Sequence, residues 1–303
     1  MFYTLLLILA PLFVGFFINV SNKQWLKKID QSVSLLVYLI LFVMGVGLGG
    51  YTDLFRELTT IGGYTLVFFI VINLCNMGVL FWYDRRRPLA TTEAAHQPTS
   101  TWGLVKSALT LLGYVFAGFA VGYALKDYGH LPDSFSTMVL MLLLLLIGIQ
   151  LRSSGIGLRR VLINQRGLVM SVLFMGSSLV GGLVAALVLG LPVFQGLSIA
   201  SGFGWYSLSS IVITDAFGPV MGSVAFLNDL LREFLAFALI PLLMRRHPST
   251  AIGTGGATSL DFVLPVIQRS GGIEVVPIAI SFGFVVNIFA PILMIFFAQL
   301  AAA

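Results

Sequence analysis

Of the 303 residues, 58% are hydrophobic and only 10% are charged, where an ordinary soluble domain carries about a quarter charged residues. That balance excludes a soluble globular fold. A formal net charge of +5 does not point to nucleic acid, because the basic residues stand at the ends of apolar stretches without a sustained basic face, and membrane topology accounts for them.

A bilayer core about 30 Å thick needs roughly 20 apolar residues in a helix. Windows free of Asp, Glu, Lys and Arg recur along the chain: Phe2–Val20, Gln31–Thr52, Leu58–Tyr83, Ser107–Leu125, Ser134–Leu151 and Val275–Ala303, with Gly167–Thr214 uncharged throughout. The first has no basic leader and no small-residue cleavage pattern, so it is expected to be a span and not a removable signal peptide. Full spans are predicted near 2–20, 31–50, 60–82, 104–125, 134–152, 166–190, 219–244 and 273–299. Lys23, Lys27 and Lys28 fall in the first loop, Arg85, Arg86 and Arg87 in the third, and Arg152, Arg159, Arg160 and Arg166 in the fifth, against Arg56 and Lys126 alone in the even loops. The positive-inside rule then makes the odd loops cytoplasmic and both termini external. Cys75, the single cysteine, leaves no disulfide framework and no multi-cysteine metal site. Ser177, Ser178, Gly181 and Gly182 in the sixth span form a small-xxx-small pattern suited to close helix packing.

The expected fold is therefore an all-α polytopic membrane protein in four regions. Three spans fill 1–83, a cytoplasmic linker rich in Thr, Ser, Ala and Gln covers 84–103, three more spans fill 104–190, and a transport core occupies 191–303. Within that core, 192–217 and 249–272 are apolar yet broken, the first by Gly202 and Gly204, the second by Gly253, Gly255, Gly256 and Pro265. Non-helical backbone at membrane depth is tolerated only where protein buries it or a wet cavity receives it. These segments read as two re-entrant hairpins added to eight transmembrane helices, N-out and C-out, with ten spans including two discontinuous helices as the alternative. Re-entrance places Arg245 and Arg246 inside, as the charge rule prefers.

Ionisable residues within apolar sequence crowd this core. Asp229, Arg232 and Glu233 share one helix, and with Pro219 near its start Asp229 lies about 15 Å in and Glu233 about 21 Å in, near the bilayer middle. Charged groups at that depth mark a substrate, ion or proton path by default. Asp229 and Arg232, three residues apart, suit a structural pair, which leaves Glu233 freer, although mutual neutralisation of all three stays open. Asp261, in the second broken segment with no charged neighbour before Arg269, ranks first as a substrate- or proton-binding residue. Trp205, Tyr206, Ser207 and Ser209 beside the first break, and Thr258 and Ser259 in the second, complete the candidate site, with Trp205 and Tyr206 equally suited to an interfacial belt. Asn73, Asn76 and Asn287 suit interhelical hydrogen bonding. No zinc motif or dinucleotide fingerprint occurs, so no metal, no cofactor and no enzymatic activity are expected. A membrane-embedded aspartyl hydrolase using Glu233 and Asp261 is the enzymatic alternative.

ASGFGWYSLSS at 200–210, FGP at 217–219, FLNDLLRE at 226–233 and GATSLDFVLPVIQR at 256–269, together with GIQLR at 148–152 and the short basic first loop, resemble the LysO family of bacterial lysine exporters. The resemblance implies a secondary active transporter of the bacterial cytoplasmic membrane that exports L-lysine and its analogue thialysine. From the residues alone the partners are the lipid bilayer and a cationic solute, exchanged with H+ as coupling ion; a homo-oligomer stays open. Midplane carboxylates suit a cationic side chain, and the helix ends and exposed backbone of the broken segments suit the charged main-chain groups of an amino acid.

Topology is open to direct test. With Cys75 removed, an impermeant thiol reagent is expected to label a His247→Cys variant only from the cytoplasmic side. Periplasmic labelling there would favour ten full spans.

Overall fold

The computed structural model describes residues 10, 11, 13–49, 54–89, 101–125, 133–153, 164–260 and 262–302. Every element among them is a helix: α1 Lys23–Gly49, α2 Leu54–Arg86, α3 Thr101–Leu125, α4 Asp133–Ser153, α5 Gln165–Leu189, α6 Val193–Ala200, α7 Tyr206–Phe217, α8 Pro219–Leu243, α9 Pro248–Gly255, a 3-10 turn Gly256–Leu260, α10 Leu264–Gly271 and α11 Val276–Ala301. Residues 13–17 of the first predicted span are helical; residues 1–9 and most of the predicted linker, 90–100, lie outside the described residues. α1 and α2 run past the predicted spans because their charged ends, Lys27 and Lys28 in one and Arg85 and Arg86 in the other, continue the helix toward the depth at which long basic side chains reach water.

Among the described residues, Glu57–Arg86, Gln165–Leu189 and Val276–Ala301 are long and apolar enough to cross a membrane. α8, with 25 residues, is as long as Gln165–Leu189, but holds Asp229, Arg232 and Glu233 in its interior.

Residues 1–61, 100–156 and 210–223 cluster into one unit, and 62–99, 157–209 and 224–303 into a second. In the first, α1 lies along α3 and also touches α4. The close approach of α1 and α3 depends on glycine: a Cβ on Gly118 would run into the carbonyl oxygen of Phe42, and one on Gly122 into that of Val46. This four-residue spacing lets two backbones touch, as membrane helices do when packing replaces the hydrophobic drive. Tyr38 and Tyr114 stack across the same pair with ring centroids 4.5 Å apart.

In the second unit, α11 packs against α5, α6 and the 3-10 turn, and the core gathers Leu80, Phe174, Phe203, Ile252, Val266 and Phe282. α5 begins with Asn164, whose side chain accepts the Gly167 N–H at 2.9 Å, the standard remedy for orphaned first-turn donors. Gly181 and Gly182 on this helix face the backbone at Ile72 and Gly196, so the small-residue pattern serves packing.

Both segments expected to be broken are broken. α6, with 8 residues, and α7, with 12, span about 12 and 18 Å at 1.5 Å per residue, so neither crosses a bilayer core alone. α9 and α10 have 8 residues each and are as short as α6. The two breaks meet: the N–H of Ala257 donates to the carbonyl of Phe203 at 2.8 Å. Gly256 makes this approach possible, since it has φ 58° and a Cβ there would strike the Phe203 carbonyl oxygen. Gly256→Ala is expected to destabilise the protein by about 1–3 kcal/mol, through left-handed strain together with the clash. A lowered thermal midpoint of the detergent-solubilised variant checks this, and an unchanged midpoint would show that the breaks do not depend on their contact.

Candidate functional site at the crossing of two broken helices

Chain breaks leave backbone groups without helical partners, and buried groups of that kind must find others. At the first break, Phe203 and Gly204 both have positive φ, 52° and 96°, which turns the Gly204 N–H out of the helical direction. The carboxylate of Asp229 on α8 receives it at 3.1 Å. Asp229 also accepts the hydroxyl of Ser209 and, at 3.0 Å, the amide of Asn228. Ser209 stands one turn into α7, so a single carboxylate ties the break, the helix that follows it and α8 together. No side chain fits beside it: a Cβ on Gly202 would meet Asp229 and Ser209.

At the second break, Asn287 on α11 donates to the Ala257 carbonyl at 2.7 Å and to Gly283 within its own helix at 2.7 Å. Thr258 donates to the Gly255 carbonyl and Ser259 to that of Ile252, at 2.9 and 2.7 Å. The Gly204 N–H, the Phe203 carbonyl and both backbone groups of Ala257 are thus consumed inside the protein. These backbone groups at the breaks, which the sequence offered for the main-chain groups of an amino acid, are occupied.

The predicted site residues fall into distinct positions. Asp229 and Arg232 are both buried, each 1% exposed, and their charges act on one another, but the hydrogen bonds of Asp229 go to Gly204, Ser209 and Asn228. The Arg232 guanidinium lies over the face of Phe174, 5.3 Å from its centroid, a favourable cation–π contact when desolvated. Its Nε and Nη1 have no hydrogen-bond partner among the described residues. Glu233 is half-buried on the same helix. Trp205 is half-buried against the core of the second unit, and Tyr206 is buried edge-to-face with Phe226, centroids 6.0 Å apart. Ser207 is buried. Asp261 lies outside the described residues.

A second polar cluster escaped sequence reasoning. α9 opens with Pro248, preceded by His247, which supplies no side-chain cap. Asp84, from the end of α2, caps α9 instead: its carboxylate accepts the N–H of Ser249 at 3.0 Å, the N–H of Thr250 at 2.8 Å and the Thr250 hydroxyl at 2.9 Å. Arg166 donates to the same carboxylate at 3.1 Å and to the Ser249 hydroxyl at 2.8 Å. Negative charge at a helix N-terminus is favourable. Charge counting assigns Arg166 to loop topology and passes over Asp84 as the first residue beyond an apolar window. The available signal was a helix start with proline at its first position and no capping residue before it.

The comparisons with known proteins agree with one another. The family model described as "Lysine exporter LysO" matches residues 112–298. The lysine exporter LysO of Escherichia coli strain K12 is 46% identical over 298 residues, 98% of this chain and 100% of that protein. This chain belongs to the LysO family. A second relative, from Haemophilus influenzae strain Rd and bearing a provisional lysine-exporter name, is 53% identical over 189 residues, 62% of this chain and 97% of that protein. No solved structure matches significantly. Membership in the LysO family, with the apolar helices, makes the chain a multi-pass inner-membrane transport protein and not an enzyme.

Asp84→Ala is expected to cost about 2–4 kcal/mol, because it removes the ion-pair partner of Arg166 and uncaps α9 at once. Thermal unfolding of the purified variant measures the loss, and a change below about 1 kcal/mol would mean that water replaces the cap.

Proposed function

We propose that this chain exports L-lysine, and its analogue thialysine, from the cytoplasm in exchange for protons. The observation that carries the reading is a near full-length match to a lysine exporter in a chain whose buried Asp229 and Arg232 stand beside two crossing helix breaks. Broken helices in a transport protein supply a site near the bilayer middle and a joint about which it opens alternately to either side.

Energy supports the exchange. Moving a cation outward against an inside-negative potential costs about 2.3 kcal/mol per charge per 100 mV. The sequence holds no GxxxxGK[ST] loop for nucleotide, so an ion gradient supplies the drive. Asp261 and Glu233 are the exchange groups: as carboxylates they attract the ammonium of lysine, and as neutral acids they release it. One proton per lysine is electroneutral and draws on the pH gradient, and two also draw on the potential. Asp229 serves a different purpose, since its carboxylate is engaged by the first break.

In liposomes of purified protein, an imposed pH gradient is expected to drive lysine against its own gradient. Asp261→Asn and Glu233→Gln are expected to abolish this flux with insertion intact, and Asp229→Asn to lower stability first. Flux that follows sodium instead would replace the coupling ion. Normal lysine flux in Asp261→Asn would remove that residue from the site.

A further inference from the structure

Asn228 and Arg232 stand one turn apart on the same face of α8, and both are 1% exposed. The Asn228 amide nitrogen donates to Asp229 Oδ1 at 3.0 Å, which settles the orientation of the carboxamide: a carboxylate takes only a donor. The atom left over is Asn228 Oδ1, an acceptor, and it has no hydrogen-bond partner among the described residues. Arg232 Nε and Nη1 are likewise without one. A buried acceptor and two buried charged donors thus lie at i and i+4 spacing, where side chains are neighbours, without bonding to one another. Unpaired groups at such burial are costly, the charged ones most of all. The cost invites a ligand that brings the missing donor and acceptors together.

We propose that Arg232 and Asn228 form the receptor for the main-chain head of an α-amino acid, with one edge of the guanidinium, bearing Nε or Nη1, on the α-carboxylate and Asn228 Oδ1 accepting from the α-ammonium. This rests on the lysine-export reading and extends it: the acids act on the side-chain ammonium, and this pair fixes the head. A guanidinium presents its N–H groups in a rigid plane that matches a carboxylate. Here that plane is held from behind by the Phe174 ring, 5.3 Å away. The missing side chain of Gly204 leaves room for the arginine stem, since a Cβ there would lie 2.9 Å from Arg232 Cδ. Asp229 does not compete for the role, because the break and Asn228 engage its carboxylate. The Gly204 N–H, the Phe203 carbonyl and both backbone groups of Ala257 are engaged as well, so these four offer the head nothing. With both receptor residues buried, the described state is closed over the head, and substrate reaches it only when the crossing opens.

The test compares L-lysine with cadaverine, which lacks the carboxylate, and with 6-aminohexanoate, which lacks the α-ammonium, as competitors of labelled lysine uptake into liposomes of the full chain. The native protein is expected to prefer lysine over either analogue by roughly 10- to 100-fold. Arg232→Gln should erase the preference over cadaverine, and Asn228→Ala should erase the preference over 6-aminohexanoate while keeping that over cadaverine. A purely structural pair, or one bridged by water, would leave these ratios unchanged in the variants, and that result overturns the proposal. Equal competition by cadaverine and lysine in the native protein overturns it without any variant, so a misfolded Arg232→Gln does not block the decision. Should lysine fail to be transported while another α-amino acid is, with the same dependence on Arg232, the lysine reading falls and the receptor stands.

Discussion

The hydrogen bond from Ala257 to Phe203 joins two chain breaks in the buried interior of the second unit, and the polar architecture around it depends on that contact. Each break taken alone would leave backbone donors and acceptors buried without partners, at a cost that apolar surroundings raise. Meeting one another satisfies one donor and one acceptor directly. Side chains from long helices take up two more, Asp229 of α8 the Gly204 N–H and Asn287 of α11 the Ala257 carbonyl. The long helices therefore act as rigid supports on which two interrupted ones are hung.

This arrangement separates two tasks that charged residues perform in a membrane. Asp229 and Asp84 complete the backbone: the one serves a break and the other a helix start, and each accepts at least three hydrogen bonds. A carboxylate engaged in that way stabilises its surroundings only while it remains an acceptor. Arg232 and Asn228 keep unused capacity at equal burial. Protein interiors rarely tolerate such capacity without a reason, and in a family of exporters a recognised solute is a natural one.

Packing follows the same economy of small residues in both units. Gly118 and Gly122 let α1 and α3 touch at the backbone, while Gly181 and Gly182 do so for α5. Larger side chains would separate these helices by the width of a methyl group or more. In a bilayer the loss would be of dispersion contacts, because lipid is as apolar as the interface it would replace.

Much was legible in the sequence because its causes are local. Twenty-odd apolar residues without charge specify a membrane-embedded helix wherever they occur, and glycines clustered between short apolar runs specify an interruption, so the helices and both breaks could be placed along the chain. The family too was legible, since strings such as FLNDLLRE at 226–233 are long and unusual. What only the tertiary structure decided was which groups satisfy which. Nothing in the spacing of Asp229 and Arg232 says that Asp229 turns to Gly204 and Ser209, 25 and 20 residues away, and leaves Arg232 on the ring of Phe174. Nor does the chain around Asp84 show that it caps a helix that begins more than 160 residues later, at Ser249 and Thr250. Periodicity and composition report what each segment must bury, whereas the partner of a buried polar group is set by which segments come to lie side by side.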